Sequence, residues 1–172
     1  MKQESNEERS VMDIRVGQGF DIHRFSDAPI AGRRLILGGV VFDGDRVLIG
    51  HSDADVVAHA VADALLGAAG LGDIGQHYPD TDAQWKGANS LMILTDVAHK
   101  LRDAGWKIGN VDCSVVCESP VIAPHRDQMQ TLLSEAAGAP VSVKGRRAEG
   151  LGAIGRSEGI VCFASAVITR PQ

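Results

Sequence analysis

A largely buried helix is predicted by residues 51–70, which read HSDADVVAHAVADALLGAAG. Ser52 and Asp53 are good N-cap residues, because their side-chain oxygens can accept hydrogen bonds from the free N–H groups of a first helical turn. Alanine, valine and leucine then fill most of positions 56–69, and Gly70 supplies a C-terminal stop. Since few polar positions remain between these ends, we expect the helix to be packed on nearly all sides.

Strands and further helices are expected on both sides of this helix. The candidate strands are residues 14–20, 35–42 (with a bend or bulge at Gly38-Gly39), 46–49, 110–118, 141–144 and 159–169. Two more helices are predicted over residues 90–104 and 125–137, each closed by a glycine, and a polar loop over residues 72–87. Helices interleaved with strands predict an α/β (α+β) domain in which helices pack against a mixed β-sheet.

The size and composition limit the class of protein. The chain has 172 residues, the length of one domain, so we interpret residues 1–12 as a flexible leader and residues 13–172 as a single domain. Hydrophobic residues make up 44% and charged residues 23%, which excludes an intrinsically disordered chain. The net charge of −5 gives no general attraction for nucleic acid or an anionic membrane, and we predict neither as a partner.

The cysteines and the N-terminal sequence predict a cytoplasmic location. Three cysteines are an odd number, and no apolar stretch is long enough to span a bilayer. The first thirteen residues are polar and acidic, unlike a signal peptide or a transit peptide. We therefore expect a reduced, cytoplasmic protein with free thiols.

Carboxylates and imidazoles at particular spacings indicate a metal site. Asp21 and His23 lie two apart, so on an extended chain they point to the same side, although a strand end with a polar face would explain this pair equally well. Asp55, His59 and Asp63 are spaced four apart and are predicted to share one helix face. A solvated polar stripe is the alternative, but the many alanines disfavour it. Asp21, His23 and His59 would give three ligands and an open position, the pattern of a catalytic metal such as zinc.

Several strings then occur in order along the chain: GFDIH at 19–23, GHSD at 50–53, DALLG at 63–67, GDIG at 72–75, YPDTD at 78–82, GNVD at 109–112, PH at 124–125 and GRSEG at 155–159. Together they resemble the 2-C-methyl-D-erythritol 2,4-cyclodiphosphate synthases of non-mevalonate isoprenoid biosynthesis, over residues 14–169. The resemblance implies a mixed sheet with helices packed on one side. It also implies a homotrimer with active sites between adjacent subunits.

The resemblance implies a role for each matching residue. A Zn²⁺ ion would be held by Asp21, His23 and His59, and a second ion, Mg²⁺ or Mn²⁺, by Glu149 on the substrate diphosphate. His51 and Arg147 match catalytic positions, and Ser52 matches a position near the reacting phosphates. The remaining matches contact substrate: Asp73, Ile74, Gly75, Tyr78, Pro79, Asp80, Thr81 and Asp82 at the methylerythritol phosphate; Cys117, Glu118, Ser119, Pro120, Val121, Ile122 and Ala123 around the cytosine nucleotide; and Arg146, Ala153 and Arg156 in or beside the phosphate and nucleotide part of the pocket.

The reaction that the resemblance implies suits these residue types. The 2-phosphate of 4-diphosphocytidyl-2-C-methyl-D-erythritol 2-phosphate attacks the β-phosphorus of its own diphosphate, and CMP leaves, as expected of a phosphorus–oxygen lyase. Two divalent cations would neutralise the converging negative charges. Phosphoryl transfer needs positioning and charge stabilisation more than covalent participation. His51 and Ser52 are therefore interpreted as orienting groups rather than as a nucleophile and its base.

The chain also departs from the family pattern. Arg146 and Arg147 stand where two threonines are usual, Val121 where a lysine is common, and Ala153 where a larger apolar side chain is usual. One hypothesis is that the arginines take over phosphate contacts, for which a guanidinium is well suited, and another is that they form a solvated surface pair. The alternative function is a divergent family member that keeps the zinc site but has an altered nucleotide preference, acting as a phosphohydrolase or a silent binding protein.

Overall fold

The computed structural model of the protein describes residues 11–172, so most of the predicted leader, residues 1–10, lies outside the described residues. Its strands are β1 Met12–Arg24, β2 Leu35–Leu37, β3 Val40–Phe42, β4 Lys107–Val116, β5 Val141–Arg146 and β6 Gly159–Pro171. Its helices are α1 Val56–Ala69, α2 Ile74–His77, α3 Ser90–Asp103, α4 Arg126–Ala137 and α5 Gly152–Gly155. Short 3-10 turns cover Ala83–Trp85 and Ala123–His125.

Four strands form one mixed sheet in the order β1-β6-β4-β5. The β1–β6 and β6–β4 pairs are antiparallel, whereas β4 and β5 run parallel. Helix α1 packs across β1 and β6, α4 packs on β5, and α3 packs on α1 and α4. The predicted fold class is thereby confirmed. No helix formed by residues 11–172 has both the length and the apolar character needed to cross a membrane.

Helix α1 is buried along nearly its whole circumference, as its alanine-rich sequence predicts. The residues of α1 that keep some exposure are His59, Asp63 and Gly67, which follow one another at intervals of four. The helix lies close to β1 because Gly17 and Gly19 face it. A Cβ at Gly17 would lie 2.0 Å from the Ala64 carbonyl oxygen, and one at Gly19 would lie 1.9 Å from the Ala60 carbonyl oxygen. Only glycine permits this separation, which brings His59 to β1.

Two strand predictions before α1 were wrong. Residues 35–42 form a hairpin of β2 and β3 rather than one bent strand, because Gly38 and Gly39 adopt φ values of 57° and 77° and reverse the chain in two residues. Residues 46–49 form no strand and contribute a single bridge between Leu48 and Phe25.

The ends of the helical segments also differ from the predictions. Helix α1 is capped by Asp55 rather than by Ser52 or Asp53. The expected polar loop over 72–87 contains α2 and a 3-10 turn, each capped by an aspartate that accepts a backbone N–H: Asp73 from Gln76 and Asp82 from Gln84. Both turns are too short to show a helical pattern of apolar residues, and their aspartate caps are the local signal that could have predicted them.

Candidate functional site

Three predicted metal ligands meet where β1 lies against α1. Asp21 and His23 are on the face of β1 that packs on the helix, and His59 projects toward them from α1. The Asp21 Oδ2 atom lies 3.0 Å from His23 Nε2 and 3.0 Å from His59 Nδ1. The two ring nitrogens lie 3.4 Å apart. The structure therefore brings together three ligand atoms, from positions up to 38 residues apart, at one point.

The protonation of His23 can be read from its hydrogen bonds. Its Nδ1 lies 2.6 Å from the carbonyl oxygen of Ile49, and because a carbonyl only accepts, Nδ1 carries the proton and donates it. Nε2 then faces Asp21, with a lone pair when the ring is neutral and as an N–H donor to the carboxylate when the ring is protonated. Burial lowers the pKa of His23, but hydrogen bonding and the charge of Asp21 outweigh this and raise it. Burial likewise raises the pKa of Asp21, but the two histidines outweigh it and hold that pKa well below its usual range.

These residues fit a zinc ion. Nitrogen and oxygen ligands at about 2.0–2.1 Å in a tetrahedral site are separated by about 3.3 Å, and the three ligand atoms here are 3.0–3.4 Å apart. One carboxylate and two imidazoles are also a common zinc ligand set. Three electron-pair donors facing one point repel each other unless a cation or proton lies between them, so the arrangement favours a bound cation.

The ring of His59 is held on its other side by hydroxyl groups. Its Nε2 lies 2.8 Å from Ser90 Oγ at the start of α3 and 3.1 Å from Ser52 Oγ. Ser90 in turn contacts Asp53 through both its hydroxyl and its backbone N–H. Ser52, predicted to contact substrate, is buried and directed at His59.

A cleft of about 280 Å³ opens beside the three ligands. The predicted substrate residues in its lining are His51, Ser52, Ile74, Gly75, Tyr78 and Asp80. The sequence analysis missed three others, Gly50, Trp85 and Ile93. Trp85 follows the YPDTD string closely, and its Nε1 is buried with no hydrogen-bond partner among residues 11–172. This donor is available to a bound oxygen.

The segment around Tyr78 is held against α3. The Tyr78 hydroxyl donates to Asp96 at 2.6 Å, Lys100 pairs with the same carboxylate oxygen at 2.6 Å, and the Trp85 ring packs edge-on at 5.0 Å. His51 is engaged with the same segment, because its Nε2 donates to the carbonyl oxygen of Asp82 at 2.9 Å. These contacts fix one wall of the cleft.

Most of the predicted nucleotide residues line a different cavity, of about 150 Å³. The predicted residues in its wall are Cys117, Glu118, Pro120, Val121, Ile122, Ala123, Arg146 and Arg147. Arg126 and Gly145 also line it and were missed, although Arg126 directly follows the PH string. None of the three arginines makes an ion pair within residues 11–172.

The structure does not bring every predicted residue to these two cavities. Ser119 lines a separate cavity with Asp43 and Arg46, and Arg156 lines another, where it pairs with Glu158 at 2.7 Å. Like Ser119 and Arg156, six further predicted residues line neither main cavity: Asp73, Pro79, Thr81, Asp82, Glu149 and Ala153. Within one chain, Glu149 is thus separate from the three predicted metal ligands.

The prediction that Asp55, His59 and Asp63 share one face was wrong for Asp55. As the N-cap, Asp55 is not yet helical, and its fully buried carboxylate turns toward the β2–β3 turn. Asp63 does lie on the His59 stripe, and it accepts a hydrogen bond from the Ile74 N–H at 3.2 Å. It therefore helps to fix α2 instead of serving as a ligand.

Comparison with known proteins agrees with this geometry. Residues 14–169 match the model of the YgbB family. A 2-C-methyl-D-erythritol 2,4-cyclodiphosphate synthase of Cupriavidus pinatubonensis is 52% identical over 161 residues, covering 92% of this chain and 93% of the relative. The Plasmodium falciparum IspF–CDP complex superimposes with a TM-score of 0.78 at 33% identity, over 92% of this chain and 97% of that one.

A longer protein is also similar. The bifunctional IspDF of Campylobacter jejuni superimposes with a TM-score of 0.86 at 39% identity, covering 93% of this chain but 43% of its own. This chain thus corresponds to less than half of that protein, and to nearly the full length of the Cupriavidus relative. On the family model, the relatives and the shared fold, this chain belongs to the YgbB family.

Proposed function

We propose that this protein converts 4-diphosphocytidyl-2-C-methyl-D-erythritol 2-phosphate into 2-C-methyl-D-erythritol 2,4-cyclodiphosphate and CMP, in non-mevalonate isoprenoid biosynthesis. The observation that carries the proposal is the convergence of Asp21, His23 and His59 beside a cleft in a member of this family. The reaction forms a bond from a 2-phosphate oxygen to the β-phosphorus and breaks the bond from that phosphorus to the oxygen that leaves with CMP. No water is consumed, so the enzyme class is a phosphorus–oxygen lyase.

The residues around the cleft bind and orient the reacting phosphates. Asp21, His23 and His59 would hold Zn²⁺ and Glu149 would hold Mg²⁺ or Mn²⁺, and these ions would supply positive charge to the reacting phosphates. His51 and Ser52 sit in the wall beside the ligands and orient the diphosphate. The wall from Ile74 to Asp82, which Asp96 and Lys100 hold against α3, receives the methylerythritol phosphate.

The cavity with three arginines receives the cytosine nucleotide. The 117–123 segment offers backbone groups to the base, while Arg146 and Arg147 supply charge where the family usually has threonine hydroxyls. Their placement in this wall favours phosphate contact over a solvated surface pair. Arginine can bind a phosphate in a bidentate manner, so the substitution is compatible with retained binding.

A homotrimer would unite the two cavities. The zinc ligands and the nucleotide residues line separate cavities of one chain, and a site between adjacent subunits would join them. The outward face of the sheet supports assembly, because it exposes Ile14, Val16, Phe20, Ile22 and Phe163, with Val16 71% exposed. An apolar surface of this extent on one sheet face is typical of a subunit interface. We further propose a cytoplasmic location and a single domain over residues 13–172 that follows a leader. Met12, which the prediction placed at the end of the leader, is the first residue of β1 and pairs with Pro171.

The test is product analysis with purified protein, Zn²⁺ and Mg²⁺ or Mn²⁺. We expect stoichiometric CMP and cyclic diphosphate from the wild type and from His99→Asn, which changes an exposed histidine of α3. His59→Asn is expected to lose both products together with bound zinc. Release of inorganic phosphate without a cyclic product would identify a phosphohydrolase. Absence of CMP from folded, zinc-loaded protein would contradict the proposal.

A further inference from the structure

A hydrogen-bond chain leads from His59 away from the cleft. His59 Nε2 lies 2.8 Å from Ser90 Oγ, and that hydroxyl contacts Asp53 Oδ1. The backbone N–H of Ser90 donates to the other carboxylate oxygen of Asp53 at 3.0 Å. Ser90 is 1% exposed, so water does not compete for its hydroxyl. Asp53 lies in the loop just before α1, whereas Ser90 is the first residue of α3 and follows His59 by 31 residues.

The direction of each proton in this chain follows from the acceptor at its end. A carboxylate has no hydrogen to give, so the Ser90 hydroxyl donates to Asp53. The Ser90 oxygen then has only lone pairs left for His59, and it accepts from an Nε2–H. A neutral His59 with its proton on Nε2 has a lone pair on Nδ1, the atom that lies 3.0 Å from Asp21 Oδ2.

A second hydroxyl favours the opposite arrangement. Ser52 Oγ lies 3.1 Å from the same Nε2 and accepts the backbone N–H of Ala54 at 3.1 Å. Its own hydrogen is therefore free to point at Nε2, which would move the ring proton to Nδ1 and block that atom. The carboxylate of Asp53 decides between the two, because a charge-assisted hydrogen bond is stronger than a neutral one.

We propose that Ser90 and Asp53 are positioning residues that keep the proton of His59 on Nε2 and thereby leave Nδ1 free to bind zinc. Outer partners that orient a ligating imidazole raise its basicity, and their loss costs about 10–100-fold in metal affinity. His23 obtains the same control from the Ile49 carbonyl oxygen. This inference rests on the proposed zinc site but is independent of the cyclisation reaction.

The sharpest variant is Asp53→Asn. The backbone N–H of Asp55 also donates to Asp53 Oδ1, at 3.2 Å, so the amide faces a backbone N–H in either orientation. With the NH₂ at the Oδ1 position, the amide donates to the Ser90 hydroxyl, which must then donate to His59. With the oxygen at that position, the hydroxyl keeps an acceptor but loses the negative charge that decides against Ser52. Zinc affinity, measured by competition with a chromophoric chelator, is expected to fall about 10–100-fold. Ser90→Ala should lower zinc affinity by a similar factor, whereas Ser90→Thr, which keeps a hydroxyl, should bind zinc about as tightly as the wild type.

Ser52→Ala is the matched control, because it removes the other hydroxyl from the same nitrogen and should retain wild-type affinity. In zinc-loaded protein, ¹H–¹⁵N NMR should show a His59 Nε2 proton protected from exchange in the wild type and exposed in Ser90→Ala. Ser90→Ala keeps the backbone contact to Asp53, so this variant can test the inference if Asp53→Asn does not fold. Wild-type affinity in Ser90→Ala, or an equal loss in Ser52→Ala, would overturn the inference. Neither measurement uses substrate, so both test this inference even if the proposed cyclisation reaction is wrong.

Discussion

Replacing Asp55 tests how the β2–β3 hairpin is joined to the helix that carries His59. The Asp55 Oδ1 atom accepts backbone N–H groups from Gly38 at 2.8 Å, Val57 at 3.1 Å and Ala58 at 3.2 Å. Its Oδ2 atom accepts the Gly39 N–H at 2.7 Å. The carboxylate is fully buried, so water cannot replace these bonds.

The cost of Asp55→Asn can be estimated from these four bonds. With the amide oxygen at the Oδ1 position, three bonds remain, but the NH₂ group faces the Gly39 N–H and leaves that donor unpaired. An unpaired buried donor costs about 1–3 kcal/mol. Burial raises the pKa of Asp55, while the N–H groups of Gly39 and Gly38 oppose that rise, so the neutral amide recovers part of the desolvation cost. We expect a net loss of about 1–3 kcal/mol for asparagine and at least about 4 kcal/mol for alanine, which loses all four bonds.

Thermal unfolding at fixed protein concentration measures this prediction. For a chain of this length, 1 kcal/mol corresponds to about 2–4 °C, so Asp55→Asn should lower Tm by about 2–12 °C, and Asp55→Ala should lower it further. Asp45→Asn is the control, because Asp45 is exposed. If Asp55→Ala unfolds at the same temperature as Asp45→Asn, the four bonds do not hold the hairpin to α1 and our reasoning is refuted.

Three further outcomes are expected. The chain has one tyrosine, and burial together with Asp96 raises the pKa of Tyr78, so absorbance at 295 nm should titrate above pH 10. Asp96→Asn should lower the midpoint of that titration. The neutral phenol stabilises the fold below pH 10, and this contribution is lost as the pH rises through the raised pKa. Burial raises the pKa of Cys117 to about 11, so its thiol should react slowly with a disulfide reagent at pH 8 and rapidly after unfolding, and equal rates would contradict its burial. Gly19→Ala would place a Cβ 1.9 Å from a carbonyl oxygen of α1, so it should lower the free energy of unfolding by about 1–3 kcal/mol or more and should also weaken zinc binding. Gly32→Ala, at an open position, should leave zinc affinity unchanged.

The parts of the fold that depend on short-range pattern could be predicted from the sequence. The alanine-rich stretch predicted α1, and the two-residue spacing of Asp21 and His23 placed both on one face of β1. That His59 meets them depends on how close α1 comes to β1. The glycines at 17 and 19 permit that approach, but no local sequence pattern predicts the distance between a helix and a strand. The motifs shared with the family, rather than the periodicity, implied that His59 meets Asp21 and His23.

The remaining features depend on contacts between segments that are distant in the sequence. Asp55 was assigned to the wrong face because its partners, Gly38 and Gly39, come 17 and 16 residues earlier, and a four-residue spacing carries no information about them. Ser90 meets His59 from 31 residues away. Arg126 meets Arg146 and Arg147, at the end of β5, because α4 packs on that strand. In each case tertiary packing decides the contact.

The two cavities differ in how firmly their residues are held, which bears on the unusual arginines at 146 and 147. The predicted metal ligands lie on β1 and α1, and His59 is hydrogen-bonded to Ser90 at the start of α3, which in turn contacts Asp53. The arginines at 146 and 147 stand at the end of an outer strand of the sheet, where neither side chain makes a buried hydrogen bond within residues 11–172. Substitutions there alter the charge presented to a ligand at little cost to folding. Variation in nucleotide contacts is therefore compatible with an intact metal site.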